Sequence, residues 1–428
     1  MAEQLQVDRW QVLRAVLGTR LRRFGSREAL DRYQRRRLGR VLGRARQVFP
    51  YYADVPTPEL DAFPVLDKAE WLEHFEGLND RGLSLDDCLV AAREAEARRS
   101  FDATLAGVSV GLSSGTSGRQ GVFLTSPAER ARWAGTVLAK ALPSLREPAR
   151  VALVLRSGGP LYQAVDGGRI AFHYVDLALD PDIIAEQLTD FAPTVLAAPP
   201  QVLDDLAARP EVGSGRLRPQ VVYSIADVLD DDVAARVEAG LGVQLRQVYQ
   251  ATEGFLGISC AHGTLHLNED LVHLEREVID EASGRFVPII TDLYRTSQAI
   301  IRYRLGDVLV PGAANCPCGS VFTAIDRIEG RADDVLQFTA ATGETRPLFA
   351  DFIRAAVLGA PVVADFRLVQ RTDGSLRLAV RPERAQASAH LALQALLRSR
   401  GLRVPQIFGM PWPVEAQTAK RRRVRREG

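Results

Sequence analysis

At 428 residues, 46% hydrophobic and 25% charged, the chain is long enough for one large domain and a smaller one, and its composition excludes a disordered or fibrous protein. A formal net charge of +1 gives no overall attraction for nucleic acid, so no nucleic-acid partner is expected; the notable basic clusters are at the two ends. No apolar run reaches the ~20 residues of a membrane span. The four cysteines, Cys88, Cys260, Cys316 and Cys318, are too few and too unevenly spaced for a disulfide scaffold, so a reducing cytoplasm is the expected compartment.

In chain order, Trp10, Val12, Leu13, Val16 and Leu17 recur among arginines at spacings that suit an amphipathic helix and not a secretory segment. A second basic helical pattern runs from Arg20 to Arg46. Phe63 to Phe75 reads as an extended entry, an N-cap at Asp67 and a helix. After the apolar alternation of Val108 to Leu112 comes GLSSGTSGRQG, Gly111 to Gly121. Beyond it, strand-like runs such as VALVL, TVLAAP and QVVYSIA alternate with helical ones such as DIIAEQLTDF and DDVAARVEAGL, the pattern of a largely parallel sheet covered by helices. Short strands and turns after Gly254 predict a β-rich subdomain. The expected boundary lies at Gly330 and Arg331, giving a large domain over 1–330 and a small α+β domain over 331–428, with a helix from about Ser388 to Leu397. The fold class is therefore α/β, with mainly parallel sheets in the large domain.

The stretch at Gly111 admits several readings. It lacks the Gly-Lys-Ser/Thr ending of a Walker phosphate loop. Gly111-Leu-Ser113-Ser-Gly115 matches a nucleophile elbow, but an elbow turns directly into a helix, and here more glycines and a strand-like run follow. A surface hairpin and a phosphate-wrapping loop remain. In the latter, glycines bring backbone N–H groups close to oxygens, and Ser113, Ser114, Thr116 and Ser117 supply donors. Further along, YQATEG places Tyr249, Thr252 and Glu253 at a strand end, an aromatic face beside hard oxygen ligands for magnesium. IIRYRLGDV places Asp307 at a strand-to-turn position. GRADDV follows with Arg331, Asp333 and Asp334.

Taken together and in order, these segments resemble the adenylate-forming superfamily of acyl- and aryl-coenzyme A ligases, in particular its phenylacetate-coenzyme A ligase-like branch. Four motifs carry the resemblance: the Ser/Thr/Gly loop at Ser113 to Gly118, Y-x-x-T-E at Tyr249 to Glu253, Y-R-x-G-D at Tyr303 to Asp307, and G-R-x-D-D at Gly330 to Asp334. Within that branch the chain looks similar to adenylate-forming proteins related to the synthetases that adenylylate a deazaflavin coenzyme. The resemblance implies activation of a carboxylic acid, aryl or medium-sized, by ATP and Mg²⁺, with pyrophosphate released and transfer to a thiol following. It implies a phosphate loop of Ser113, Ser114, Gly115, Thr116, Ser117 and Gly118; adenine stacking on Tyr249 beside Gln250; and magnesium on Glu253 with Thr252. Ribose falls to Asp307, with Arg331 reaching ribose or phosphate. Asp333 is the implied hinge, and Lys420 the lysine that bridges the acyl carboxylate and the α-phosphate. Ser224, Ile225 and Ala226 occupy the strand end that borders adenine and substrate, and His173 is a candidate gate of the acid pocket.

The chain departs from the family at Arg119 and Gln120, where Lys-Pro is usual, and at Ala419, where glycine is usual. The segment after the hinge lacks the usual glycine-containing turn toward a thiol tunnel, so coenzyme A, the phosphopantetheine of an acyl carrier protein and no thiol at all stay open as acceptors. Alternatives are an adenylyltransferase that leaves AMP on its substrate, a non-catalytic nucleotide-binding protein, and a serine hydrolase using Ser113. Separately, Cys260-Ala-His262 and the Cys316-Pro-Cys318 knuckle offer a Cys₃His tetrahedral set for a structural zinc, against the alternative of free cysteines. His266 and His273 read as packing or surface residues.

Overall fold

The computed structural model describes residues 8–98, 100, 103–112, 120–156, 168–413 and 422–427. The chain divides into two compact units. The first holds residues 1–277, 288–305 and 311–327, and the second 278–287, 306–310 and 328–428. The expected boundary at Gly330 falls just inside the last stretch of the second unit. That unit also takes two strand segments placed by sequence in the large domain.

The first unit begins with helices α1 (Arg9–Leu21), α2 (Arg27–Val48), α3 (Lys68–Glu73) and α4 (Leu85–Ala97). The expected cap of α3 forms as a full capping box: the Asp67 carboxylate accepts from the backbone of Ala69 and Glu70, while Glu70 accepts from the Asp67 N–H. An antiparallel sheet of β1 (Thr104–Leu105), β2 (Val108–Leu112) and β3 (Val122–Thr125) follows, then helix α5 (Pro127–Ala141). Strands β4 (Ala149–Leu155), β5 (Ile170–Asp176), β6 (Val195–Ala198), β7 (Val221–Ser224) and β8 (Leu245–Ala251) lie in the order β5-β4-β6-β7-β8, every neighbour parallel. Antiparallel β9 (Gly254–Ser259) and β10 (Leu265–Leu267) extend this sheet beyond β8.

Both faces of the parallel strands are covered, which explains their nearly continuous apolar sequence. Ala152, Val154, Leu196 and Val222 face helices Pro181–Phe191, Pro200–Ala207 and Asp231–Leu241, while Leu153, Val195, Val221 and Tyr223 face α1 and α5. Short strands β11 (Val272–Asp280), β12 (Arg285–Asp292), β13 (Tyr303–Arg304), β14 (Asp307–Pro311) and β15 (Ala324–Arg331) make up the β-rich region expected after Gly254.

In the second unit, β16 (Leu336–Thr339) pairs with β17 (Thr345–Leu348), and β18 (Asp365–Gln370), β19 (Leu376–Arg381), β20 (Ile407–Gly409) and β21 (Val424–Arg426) form a sheet in the order β20-β19-β18-β21. Helices Ala350–Leu358 and Gln386–Ser399 pack on it through Ile353, Val357, Ala389, Leu393 and Leu397. This is the expected α+β arrangement, and the second helix spans the predicted Ser388 to Leu397. Among the described residues no helix is long and apolar enough to cross a membrane.

Candidate functional site

The glycine- and serine-rich segment from Gly111 to Gly121 joins two antiparallel strands: Leu112 of β2 pairs with Val122 of β3, and Gly111 with Phe123. A strand, β3, therefore follows the segment, as its strand-like run predicted. Ser113, Ser114, Gly115, Thr116, Ser117 and Gly118 themselves lie outside the described residues, as does Lys420.

The base of that hairpin opens on a recess in the first unit. Gly121, Val122 and Phe123 line one side; Thr252 and Glu253, from the turn between β8 and β9, line another; Lys68, Trp71, Arg295, Gln298 and Tyr303 complete it. The turn is aimed by its neighbours. Thr252 Oγ1 donates to Glu253 Oε2 at 2.9 Å, and Arg295 Nη2 donates to the Thr252 carbonyl at 2.9 Å. Trp71 meets the ring of Tyr303 edge-on at 6.0 Å, so this tyrosine of the Y-R-x-G-D segment is a wall of the recess. Gln298 is 1% exposed; its carbonyl accepts from the Leu124 N–H, and its amide Nε2 has no hydrogen-bond partner among the described residues.

Glu129, at the start of α5, fixes the segment that carries Arg295 and Gln298. It accepts from Ser126 N, Ser297 N and Ser297 Oγ at 2.7, 2.9 and 2.6 Å, and from the Thr296 N–H. Burial opposes its charge, but these hydrogen bonds outweigh burial and hold the carboxyl below its ordinary range. Sequence reasoning missed Lys68, Glu129, Arg295 and Gln298 as parts of one site. The only local signal was Glu129 three residues after Ser126, which announces a capping box and nothing about the distant strand segment it holds.

Tyr249 is 6% exposed and buried on β8, directly before the bulge at Gln250. On the adjoining strand, Ser224 ends β7 with its hydroxyl buried and without a partner among the described residues. Ala226 follows in the left-handed region at φ 66°, which costs an alanine of order 1 kcal/mol and is the kind of strain that collects at ligand sites. His173 is placed elsewhere: it stands on β5, the edge strand, stacked on Phe191 at 5.0 Å, and is not among the residues lining the recess.

The second unit holds the other nucleotide-site candidates. Asp307 begins β14, and Arg331 Nη1 approaches its Oδ1 at 3.5 Å. The Ala332 N–H donates to the Gly306 carbonyl at 2.7 Å, and the Arg331 guanidinium lies so close over Gly306 that a Cβ there would fall 2.3 Å from Nη2. Asp333 is exposed within the short 3₁₀ turn Ala332–Asp334, while its neighbour Asp334 accepts from Arg422 at 2.6 Å.

Back in the first unit, four potential ligands converge: Cys260, His266, Cys316 and Cys318 present ligand atoms all within 4.8 Å of one another. The sulfurs of Cys260 and Cys316 are 3.7 Å apart and Cys318 Sγ is 3.3 Å from His266 Nε2, close to the ~3.8 Å edge of a tetrahedron with Zn–S bonds of ~2.3 Å. His266 Nδ1 donates to the Phe322 carbonyl at 3.2 Å, leaving Nε2 for a metal. The expected histidine was His262, and here the structure corrects the sequence. Cys260 and Thr264 close a turn through Cys260 N to Thr264 O, which puts His262 exposed at its tip; the chain then returns along β10, opposite Ile258 and beside Ala324, bringing His266 to the cysteines. The residues fit a structural zinc: three thiol sulfurs, one oriented imidazole and no position left over.

No protein-family model and no curated protein matches the sequence. Solved structures do match. The 2-hydroxyisobutyryl-CoA ligase in the postadenylation state, in complex with R3-HIB-AMP, is 18% identical, with a TM-score of 0.63 over 94% of this chain and 90% of that one. ATP-bound MatB from Rhodopseudomonas palustris is 17% identical, with a TM-score of 0.50 over 72% of this chain and 66% of that one. The amide bond synthetase McbA from Marinactinospora thermotolerans is 15% identical, with a TM-score of 0.50 over 73% and 67%. At these identities the likeness is one of fold.

Proposed function

We propose that the protein activates a carboxylic acid with ATP. A carboxylate oxygen attacks the α-phosphorus, the bond from that phosphorus to the bridging oxygen breaks, and pyrophosphate leaves, giving an acyl-adenylate. The observation that carries this reading is the recess in which the base of the Ser/Thr/Gly hairpin meets Thr252 and Glu253, beside Lys68 and Arg295. A carboxylate for a hard cation and two positive side chains are what a reaction joining two anions requires.

Glu253 with Thr252 would hold Mg²⁺, which when bound offsets charge on the phosphates. The loop from Ser113 to Gly118 would close over the β- and γ-phosphates. Tyr249, Gln250 and Ala226 would border the adenine, Asp307 would accept the ribose hydroxyls with Arg331 alongside, and Lys420 would bridge the carboxylate and the α-phosphate. The acceptor in the second half-reaction is then a thiol, coenzyme A or a carrier-protein phosphopantetheine, with Asp333 as the hinge. That a CoA ligase is among the structural matches favours the thiol, and the four sequence motifs favour the phenylacetate-coenzyme A ligase-like branch. The four-ligand cluster would hold a structural zinc.

Pyrophosphate–ATP exchange against a panel of carboxylic acids, with no thiol added, tests the first half-reaction. Exchange that depends on the acid is the expected result and identifies the acid class. ATP binding without exchange across a broad panel would overturn it in favour of AMP transfer to another acceptor or a non-catalytic nucleotide-binding protein.

A further inference from the structure

Helix α1 has two opposite apolar faces. At ~100° per residue, Val12, Ala15, Val16 and Thr19 fall on one side. That side packs on α5, where Gly135 allows an approach so close that a Cβ would lie 2.4 Å from the Val12 carbonyl oxygen. Trp10, Leu13, Leu17 and Leu21 fall within an arc of ~80° on the other side. They are 78%, 45%, 51% and 79% exposed. On the same projection Arg9 and Arg20 border one edge of this stripe and Arg14 the other, all exposed. Between residues 8 and 48 the sequence has thirteen arginines against Asp8, Glu28 and Asp31, in a chain whose net charge is only +1; of these, Arg22, Arg27 and Arg44 pair with Asp270, Glu269 and Asp80, while Arg9, Arg14 and Arg20 on α1 are exposed.

We infer that α1 is a docking helix for an anionic lipid surface, lying in the plane of the interface. Trp10 and the three leucines would enter the boundary between headgroups and acyl chains, and the arginines would take the lipid phosphates. A helix held to its own protein by one face, with a tryptophan and leucines on the other and arginines on both flanks, has the build of an interfacial helix. A second copy is a poor occupant, because it would set one arginine-rich surface against another across a low-dielectric contact. An acidic protein supplies the charge but would also need a groove shaped to a tryptophan and three leucines, whereas a bilayer adapts to a convex helix.

The full-length protein is centrifuged with vesicles of phosphatidylcholine alone and of phosphatidylcholine with phosphatidylglycerol, across a salt series. Binding to the anionic vesicles that weakens with salt is expected, with a loss of about tenfold or more in a Leu13→Gln, Leu17→Gln variant. The variant should melt as the wild type does, since both side chains are exposed. No binding to anionic vesicles, or equal binding by wild type and variant, overturns the proposal. A concentration-dependent dimer that the same substitutions abolish would overturn it in favour of a contact between copies. Binding to an acidic carrier protein, and to no vesicle, would assign the stripe to a protein partner.

Discussion

Glu253 stands on a turn, half-buried, with one oxygen taken by Thr252, so its removal costs the fold little and the proposed chemistry much. Glu253→Gln should lower acid-dependent exchange by a factor of about a hundred or more, the scale of a lost charge-stabilising group, with an unchanged melting temperature. Exchange at the wild-type rate would take Glu253 out of the mechanism. Gly306 is set by its neighbour and not by its own backbone. A methyl group in Gly306→Ala would displace the Arg331 guanidinium from Asp307, and ATP should bind roughly tenfold more weakly, as measured by calorimetry. Unaltered ATP affinity would mean that neither Asp307 nor Arg331 meets the nucleotide.

At the scale of elements, Glu129 ties α5 to the segment Thr296–Ser297, and through it orients Arg295 and Gln298. Its carboxyl is held below the ordinary range in the folded protein, so its stabilising effect is fully present above the unfolded pKa of ~4.5 and is lost as pH falls through the folded value. Glu129→Gln should therefore cost about 1–3 kcal/mol near neutral pH, and a smaller difference from the wild type as acid is added, read from urea melts at stepped pH. A constant difference across that range would rule out the charged form as the source. The cysteine cluster joins the β9–β10 turn to the loop before β15. If zinc closes it, His266→Ala or Cys316→Ser should abolish zinc in the purified protein and lower the melting temperature, while His262→Ala should leave both unchanged. Metal content by elemental analysis decides it.

For the whole molecule, the proposed reaction has two halves, and Asp333 is the residue proposed to let the chain turn between them. It is exposed and lies in the first turn of a three-residue 3₁₀ segment, where a proline is tolerated. Asp333→Pro should spare pyrophosphate exchange and slow thioester formation, measured separately on the same preparation. Equal loss of both would remove the hinge assignment.

Several features needed only the order of residues. The alternation of β-branched runs with helical ones dictated a parallel sheet covered on both faces, because strands buried on both sides cannot carry polar residues at every second position. The Asp67 cap was equally legible, since a capping box is made within four residues of chain. What depended on contacts across the chain was not legible. The zinc-site histidine is chosen by which strand position returns to the cysteines, and the spacing that suggested His262 describes an exposed turn position outside the ligand group. The meeting of Glu129 with Thr296 and Ser297, and of Lys68, Arg295 and Gln298 with Glu253, joins residues far apart in sequence. The apolar spacing of α1 likewise predicted a helix, but only its packing on α5 through Val12 and Val16 determined that the stripe from Trp10 to Leu21 is the one left at the surface. Periodicity fixes that a helix has apolar faces; which of them is buried is settled by the partner that covers it.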